Sequence, residues 1–229
     1  MNKNVLNKVK RIDWILADFY GEKKFTKGTD PLTELILTVL SQNTNDTNRD
    51  RAFESMKSRF PSWEDVMNAR PGELAKAIKV GGLAKVKSGR IIRLLKSLKS
   101  ENGNLNLGFI VKWDNDSVRD YLLKIDGVGP KTAACVLAFS LGRNVMPVDT
   151  HVHRVAGRLG ILPKRMTAEA AHDYFTGFAD HINLYQFHLN LITHGRRICK
   201  ARVPLCGECP VKRLCNYYRD LSGKRNQAA

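Results

Sequence analysis

A turn at residues 125–131, Ile-Asp-Gly-Val-Gly-Pro-Lys, joins two stretches of helical hydrophobic spacing and limits the folds open to this chain. Asp116 or Ser117 is a suitable N-cap for the first helix. The two glycines of the turn permit the positive φ of a tight reversal. The proline suits the first position of the second helix, because its φ is fixed and it has no N–H. The spacing therefore predicts two helices joined by a hairpin.

The hairpin can bind an anion through its backbone. The N–H groups at Gly127, Val128 and Gly129 point out of a helix N-terminus, where the dipole favours a group such as phosphate. An ordinary packing joint is the alternative for such a turn. Lys131 lies one residue inside the second helix, where the dipole and any burial favour the neutral amine. Schiff-base chemistry at a sugar C1′ needs that neutral amine; a solvated lysine touching phosphate is the alternative.

Asp149 stands just before an apolar helical pattern at residues 152–159. An aspartate in this position is a natural N-cap, a role that needs no chemistry. A second interpretation is a metal site, because Asp149, His151 and His153 would share one face of a strand. The helical spacing that follows favours the cap.

Four of the five cysteines, Cys199, Cys206, Cys209 and Cys215, have the spacing Cys-x6-Cys-x2-Cys-x5-Cys. No signal peptide or apolar membrane span is visible, so we expect a cytoplasmic, nucleoid-associated protein, in which disulfides are less common. Structural zinc usually recruits two close pairs separated by a long gap. One short pair flanked by two single cysteines favours an iron–sulfur cluster, with zinc as the alternative.

Composition indicates a polyanionic partner. Lysine and arginine number 38 against 22 acidic residues, a formal net charge of +16, which favours binding to phosphates. Basic residues gather around the four cysteines, at Arg196, Arg197, Lys200, Arg202, Lys212, Arg213 and Arg219. Helical spacing dominates and few runs alternate as strands do, so we expect an all-α fold. We expect residues 222–229 to form a disordered polar tail.

Two stretches together closely resemble the signature segments of the endonuclease III family of helix-hairpin-helix DNA glycosylases. They are residues 127–133, Gly-Val-Gly-Pro-Lys-Thr-Ala, and residues 148–155, Val-Asp-Thr-His-Val-His-Arg-Val. The resemblance implies that Lys131 is the nucleophile and Asp149 the essential carboxylate. Members of the family carry a four-iron cluster on this cysteine spacing, so the resemblance also implies a [4Fe-4S] cluster on the four cysteines.

The same resemblance implies two α-helical lobes. A six-helix barrel would cover residues 29–143 and contain the helix-hairpin-helix motif at about 117–141. An iron–sulfur lobe would combine residues 1–28 with 144–229. The two catalytic residues would then face each other across the groove between the lobes.

A glycosylase takes its target base out of the stack, and a side chain must fill the gap left behind. In this family one filler comes from the loop after the first barrel helix, here residues 40–46, and another from the loop at Gly82-Leu83. The family often has Gln at the position that aligns with Asn43, so either Asn43 or Gln42 is the expected wedge. Further expected DNA contacts are His151, Arg196, Lys200 and Arg202.

The resemblance therefore implies a base-excision-repair enzyme. It would be a monomeric, bifunctional glycosylase and AP lyase that removes oxidised pyrimidines of the thymine glycol type from double-stranded DNA. Adenine-mismatch glycosylases instead place an acidic residue where this chain has Leu37 and Thr38. Mismatch thymine glycosylases tend to lack the lysine found here at 131. A non-catalytic iron–sulfur module that binds DNA or senses redox state is the other alternative, and Lys131 and Asp149 argue against it.

Overall fold

The computed structural model describes residues 2–26 and 28–227, and the side chains of all of these except 224–227. Its regular structure within those ranges is helical, with no β-strand, which confirms the predicted all-α class. The α-helices are α1 (Lys3–Tyr20), α2 (Pro31–Ser41), α3 (Asp46–Arg59), α4 (Trp63–Asn68), α5 (Pro71–Ala77), α6 (Ala84–Asn102), α7 (Asn115–Lys124), α8 (Pro130–Cys135), α9 (Thr150–Leu159), α10 (Ala168–Thr176), α11 (Leu184–Arg197) and α12 (Asn216–Gln227).

The chain divides into two compact units. The terminal unit consists of the residues up to Thr26 together with those from Asn144 onward. The internal unit consists of the residues between them and ends at Arg143. The division at the N-terminal side lies two residues before the boundary expected from the sequence.

The internal unit is organised around α2. Asp30 caps this helix by accepting a hydrogen bond from the Thr33 amide at 2.9 Å, and Pro31 occupies the first turn, as the capping rules require. Apolar side chains cover most of its circumference, so the helix is buried, and α3, α6 and α8 pack against it. A 3-10 turn at Lys79–Gly81 follows α5 and packs on α3.

The predicted hairpin is present between α7 and α8. Gly127 has a φ of +81°, whereas Gly129 has a φ of −105°, so only the first glycine uses the left-handed region. The first helix begins earlier than predicted: Asp114 is its N-cap and accepts from the Ser117 amide at 2.9 Å. The prediction of Asp116 or Ser117 was wrong because several good capping residues stand close together. The second helix continues as a π-helical segment, Val136–Ser140.

The terminal unit is built on α11, against which α1 and α9 pack. Apolar residues at helical spacing on these helices form its core, together with a group of aromatic rings from α10 and its surroundings. Three of the clustered cysteines, Cys199, Cys209 and Cys215, border this core. The cysteine segment is therefore attached to this core.

The sequence predicts a disordered tail from residue 222, whereas the structure continues α12 through residues 222–227. This helix packs against α9 at its start. Once a first turn is fixed, each added residue costs little, so a polar sequence can extend the helix. Residues 228 and 229 lie outside the described part of the chain.

None of the helices in the described ranges combines the length and the apolar character that crossing a membrane requires.

Candidate functional site

Lys131 is the second residue of α8 and is half-buried at the end of the hairpin. The neighbouring Thr132 and Ala133 are buried and fix the helix in the internal unit. Among the described residues of that unit, none forms a hydrogen bond or an ion pair with the Lys131 amine. The backbone of α8 therefore sets the position of the amine, and no described carboxylate of the internal unit forms an ion pair with it.

The hairpin amides differ in their availability. Val128 donates its N–H to the Ile125 carbonyl at 3.0 Å, which closes the turn. A Cβ added to Gly127 would lie 3.3 Å from Cγ of Arg90, so this glycine allows the hairpin to approach α6 closely. Of the three hairpin residues expected to contact phosphate, Gly127 and Gly129 have amides that the turn itself does not use.

Asp149 is the N-cap of α9 in the terminal unit. Its Oδ1 accepts a hydrogen bond from the Val152 amide at 2.7 Å, and the side chain is half-buried. The alternative of a metal site at Asp149, His151 and His153 fails, because the segment is a helix. His153 Nε2 is also bonded to the Met166 carbonyl at 2.8 Å. No described group of three or more such ligands could hold a metal ion.

His151 lies two residues beyond this cap and is half-buried. Burial lowers the pKa of its imidazole below 6.5, and the nearby Arg154 and Arg196 lower it further, against an opposing effect of Asp149. Burial therefore favours the neutral form of the ring.

The four clustered cysteines line one pocket in the terminal unit, with a cavity volume of about 20 Å³. Its walls also include the apolar side chains of Val155, Leu159 and Ile198. Burial, with smaller contributions from the other three cysteines, raises the pKa of the Cys209 thiol to about 12. His194 Nε2 lies 3.5 Å from Sγ of Cys209, and burial lowers the pKa of this histidine to about 4.

Two arginines of α9 hold the segment that carries the first cysteine. Arg158 donates to the carbonyls of Lys200 and Ala201, both at 2.7 Å, and to Sγ of Cys199 at 3.4 Å. Arg154 donates to the Cys199 carbonyl at 3.2 Å. No motif in the sequence indicates this role for the two arginines, although their spacing of four places them on one face of α9.

The basic side chains expected at DNA are at the surface of this unit. Arg196, Lys200 and Arg202 are all exposed and lie close in sequence to Cys199. The structure thus groups these residues with the cysteines, His151 and Asp149 in the terminal unit.

The two expected wedge segments belong to the internal unit, as Lys131 does. Gln42 is half-buried and its Oε1 accepts a hydrogen bond from Arg90 at 2.8 Å. Asn43 is exposed and has a φ of +52°. Leu83 is 54% exposed and has a φ of +48°. Both exposed residues therefore have a strained backbone that favours a functional role over a packing role.

The hairpin with its lysine, the capping aspartate and the cysteine pocket define a class of helical DNA-repair enzymes, and comparisons with known proteins agree. Residues 36–178 match the model of the HhH-GPD superfamily base excision DNA repair proteins. Endonuclease III of Thermotoga maritima is 35% identical over 193 residues, covering 84% of this chain and 86% of that protein.

Two solved structures are similar over almost their whole length. One is a non-covalent endonuclease III–DNA complex, with a TM-score of 0.78 and 25% identity, covering 97% of this chain and 99% of the other. The second is a trapped covalent endonuclease III–DNA intermediate, with a TM-score of 0.74 and 25% identity, covering 93% and 98%.

The chain belongs to the HhH-GPD superfamily of base excision DNA repair proteins. Within it the chain is of the endonuclease III type, a DNA N-glycosylase and DNA-(apurinic or apyrimidinic site) lyase.

Proposed function

We propose that this enzyme removes oxidised pyrimidines of the thymine glycol type from double-stranded DNA and then cuts the strand through a lysine Schiff base. The observation that carries the proposal is the half-buried Lys131 amine at the start of α8, which has no partner among the described residues of its unit. The covalent intermediate trapped in a solved relative supports a covalent route.

In the first step Lys131 Nζ forms a bond to C1′ of the flipped nucleotide. The bond between C1′ and the base breaks, and the base leaves with the electron pair. The carboxylate of Asp149 stabilises the positive charge that develops on the sugar, and it accepts the proton that the amine loses. The nitrogen lone pair then expels the ring oxygen O4′ from C1′, and this oxygen takes up the proton held by Asp149. The product of this step is a protonated imine between Lys131 and the opened sugar.

In the second step water accepts a proton from C2′, and the bond between C3′ and its oxygen breaks. The electrons of the C2′–H bond form the new double bond, and the phosphate departs with those of the C–O bond. The imine accelerates this β-elimination because its positive nitrogen makes the C2′ proton more acidic. Water then releases Lys131 from the cut strand.

Borohydride reduction tests the role of Lys131. Reduction of the imine should link the wild-type protein covalently to DNA that contains a lesion, and Lys131→Ala should abolish that linkage. Lys124→Ala, which removes an exposed lysine at the end of α7, is the matched control and should still be trapped. Persistent trapping of Lys131→Ala would show that another amine is the nucleophile.

A panel of duplexes tests the substrate. We expect excision of thymine glycol to be faster than excision from G·T mismatches or of adenine opposite 8-oxoguanine. A faster reaction on either mismatch would show that the preferred substrate is a mismatch and not an oxidised pyrimidine.

We propose that Cys199, Cys206, Cys209 and Cys215 hold a [4Fe-4S] cluster. The four thiols line one pocket with apolar walls, and Arg158 donates to Sγ of Cys199, as suits a thiolate ligand. One short pair of cysteines flanked by two single cysteines suits an iron–sulfur cluster better than one zinc ion. When bound, the cluster would supply iron–thiolate bonds that crosslink the cysteine segment.

Iron, sulfide and zinc analysis of the purified protein tests this proposal, together with its visible absorption. We expect about four irons and four sulfides per chain. Cys206→Ser should lose them, and Cys135→Ser should keep them, because Cys135 lies in α8 outside the pocket. One zinc per chain without iron would contradict the proposal.

For the contacts with DNA, we propose that the amides of Gly127 and Gly129 bind phosphate, and that Arg196, Lys200 and Arg202 form a second phosphate-binding surface with His151 beside it. We propose Asn43 as the wedge in preference to Gln42. The hydrogen bond from Arg90 to Gln42 supports this choice, because that bond would have to break before Gln42 could enter the duplex.

A further inference from the structure

Lys87 is a fully buried cation of the internal unit. It lies in the first turn of α6 and is 2% exposed. Its ammonium donates to the carbonyls of Leu40 and Gly81, both at 2.7 Å. Leu40 lies in the last turn of α2, and Gly81 ends the 3-10 turn. Helix ends leave carbonyls without backbone donors and carry partial negative charge, so one ammonium stabilises two helix ends.

The chain is strained within three residues after each of these carbonyls. Asn43 and Leu83 have positive φ values, and Arg165 is the only other non-glycine residue of the described ranges that does. Such conformations persist only where the surrounding structure enforces them. Leu83 is a large apolar side chain, and packing within its unit leaves 54% of it exposed to solvent.

The two strained segments, 42–43 and 82–83, are neighbours. A Cβ added to Gly82 would lie 3.9 Å from the Asn43 carbonyl oxygen. On α6, one turn after Lys87, Arg90 binds the side chain of Gln42. Helix α6 thus holds both segments, through the buried ammonium of Lys87 and the half-buried guanidinium of Arg90.

We propose that Lys87 is a positioning residue that joins segments 42–43 and 82–83 into one wedge, so that Asn43 and Leu83 enter the DNA together. The inference rests on the proposed function, in which these side chains fill the gap left by the flipped base. Without the ammonium, two buried carbonyls lose their donor and the segments move independently. The loss of this coupling slows the step in which the base is extruded from the duplex. The effect is small at an abasic site, where no base has to be extruded.

The test compares Lys87→Met with Lys85→Met, which changes an exposed lysine of the same helix. Single-turnover rates are measured for excision of thymine glycol paired with adenine and for incision at a preformed abasic site. We expect Lys87→Met to slow excision by about tenfold and incision by less than about threefold. Lys85→Met should change neither rate. Equal slowing of both reactions by Lys87→Met, or no slowing of either, would overturn the inference.

A second measurement keeps Lys87 intact, in case Lys87→Met does not fold. Asn43→Ala, Leu83→Ala and the double variant form a cycle of surface substitutions. If the segments act as one wedge, the double variant excises about as fast as the slower single variant. Losses that multiply would show independent segments and overturn the inference. A wild-type protein that excises none of the oxidised pyrimidines would refute the proposed function instead, before any variant is compared.

Discussion

Asp149 has two roles that substitution can separate. Asparagine caps a helix as well as aspartate does, so Asp149→Asn should leave the free energy of unfolding nearly unchanged. It should slow base excision by about 100-fold or more, because the carboxylate charge is lost. Asp149→Ala should lose the same activity and about 1 kcal/mol of stability. Unfolding curves and single-turnover rates check both. Full activity in Asp149→Asn would reduce this residue to a helix cap.

Asp13 on α1 makes stability depend on pH. Burial raises the pKa of its carboxyl from 3.8 to about 6, against a hydrogen bond from Gln186 that lowers it. The folded state therefore binds more protons than the unfolded state between about pH 4 and pH 6. Stability contributed by the protonated acid is lost as the pH rises through this window, and it stays lost above pH 6.

Asp13→Asn removes this ionisation and keeps the shape of the side chain. The stability of the variant relative to wild type should rise by about 1–2 kcal/mol between pH 4.5 and pH 7.5, after allowance for partial exposure. Asp18→Asn, an exposed change on the same helix, should show no such rise. Denaturant unfolding at several pH values measures the difference, and a flat difference for Asp13→Asn would contradict the assignment.

At the scale of one element, α9 has one glycine within it and one at its C-cap, and alanine should have opposite effects at the two positions. Gly157 is exposed within the helix, and a Cβ there would meet nothing within 4 Å. Gly157→Ala should raise the free energy of unfolding by about 0.5–1 kcal/mol. Gly160 ends the helix with a φ of +73°, and its Cβ would overlap the Asn216 side chain. Gly160→Ala should lower stability by about 2 kcal/mol or more.

Thermal or denaturant unfolding of the two variants measures these changes in stability. No activity assay is needed, because neither residue has a proposed catalytic role. A loss of stability in Gly157→Ala would indicate that this side of α9 is covered. A neutral effect of Gly160→Ala would mean that α12 can move away from the end of α9.

What the sequence could predict depends on how local each signal is. The hairpin and the Asp149 cap rest on residues within a few positions of one another, and periodicity and capping rules detect them. The bonds from Lys87 to Leu40 and from Arg90 to Gln42 join residues 47 and 48 positions apart. No periodic pattern specifies such a pairing, so these two cations could not be assigned from the sequence.

For the whole molecule, the net charge of +16 predicts that binding to DNA weakens steeply with salt. Each lost phosphate contact reduces the slope of log K against log salt by about 0.9. Lys200→Gln with Arg202→Gln should therefore reduce the slope by about 2 on any duplex. Lys10→Gln with Arg11→Gln makes the same charge change at exposed positions on α1 and is the control. Equal slopes for the two double variants would show that only total charge matters.

The terminal unit takes helices from both ends of the chain, and this has a consequence for folding during synthesis. The internal unit is complete once Arg143 has emerged, whereas α1 needs α11, whose first residue lies more than 160 positions after Tyr20. At about 5–20 residues per second, α1 waits roughly 10–30 s for its partner. Throughout that interval this helix lacks the partner that buries its apolar side chains. In the folded protein the buried side chains include Val9, Ile12 and Leu16. Helix α1 is thus made before the internal unit but finds its place only after that unit is complete.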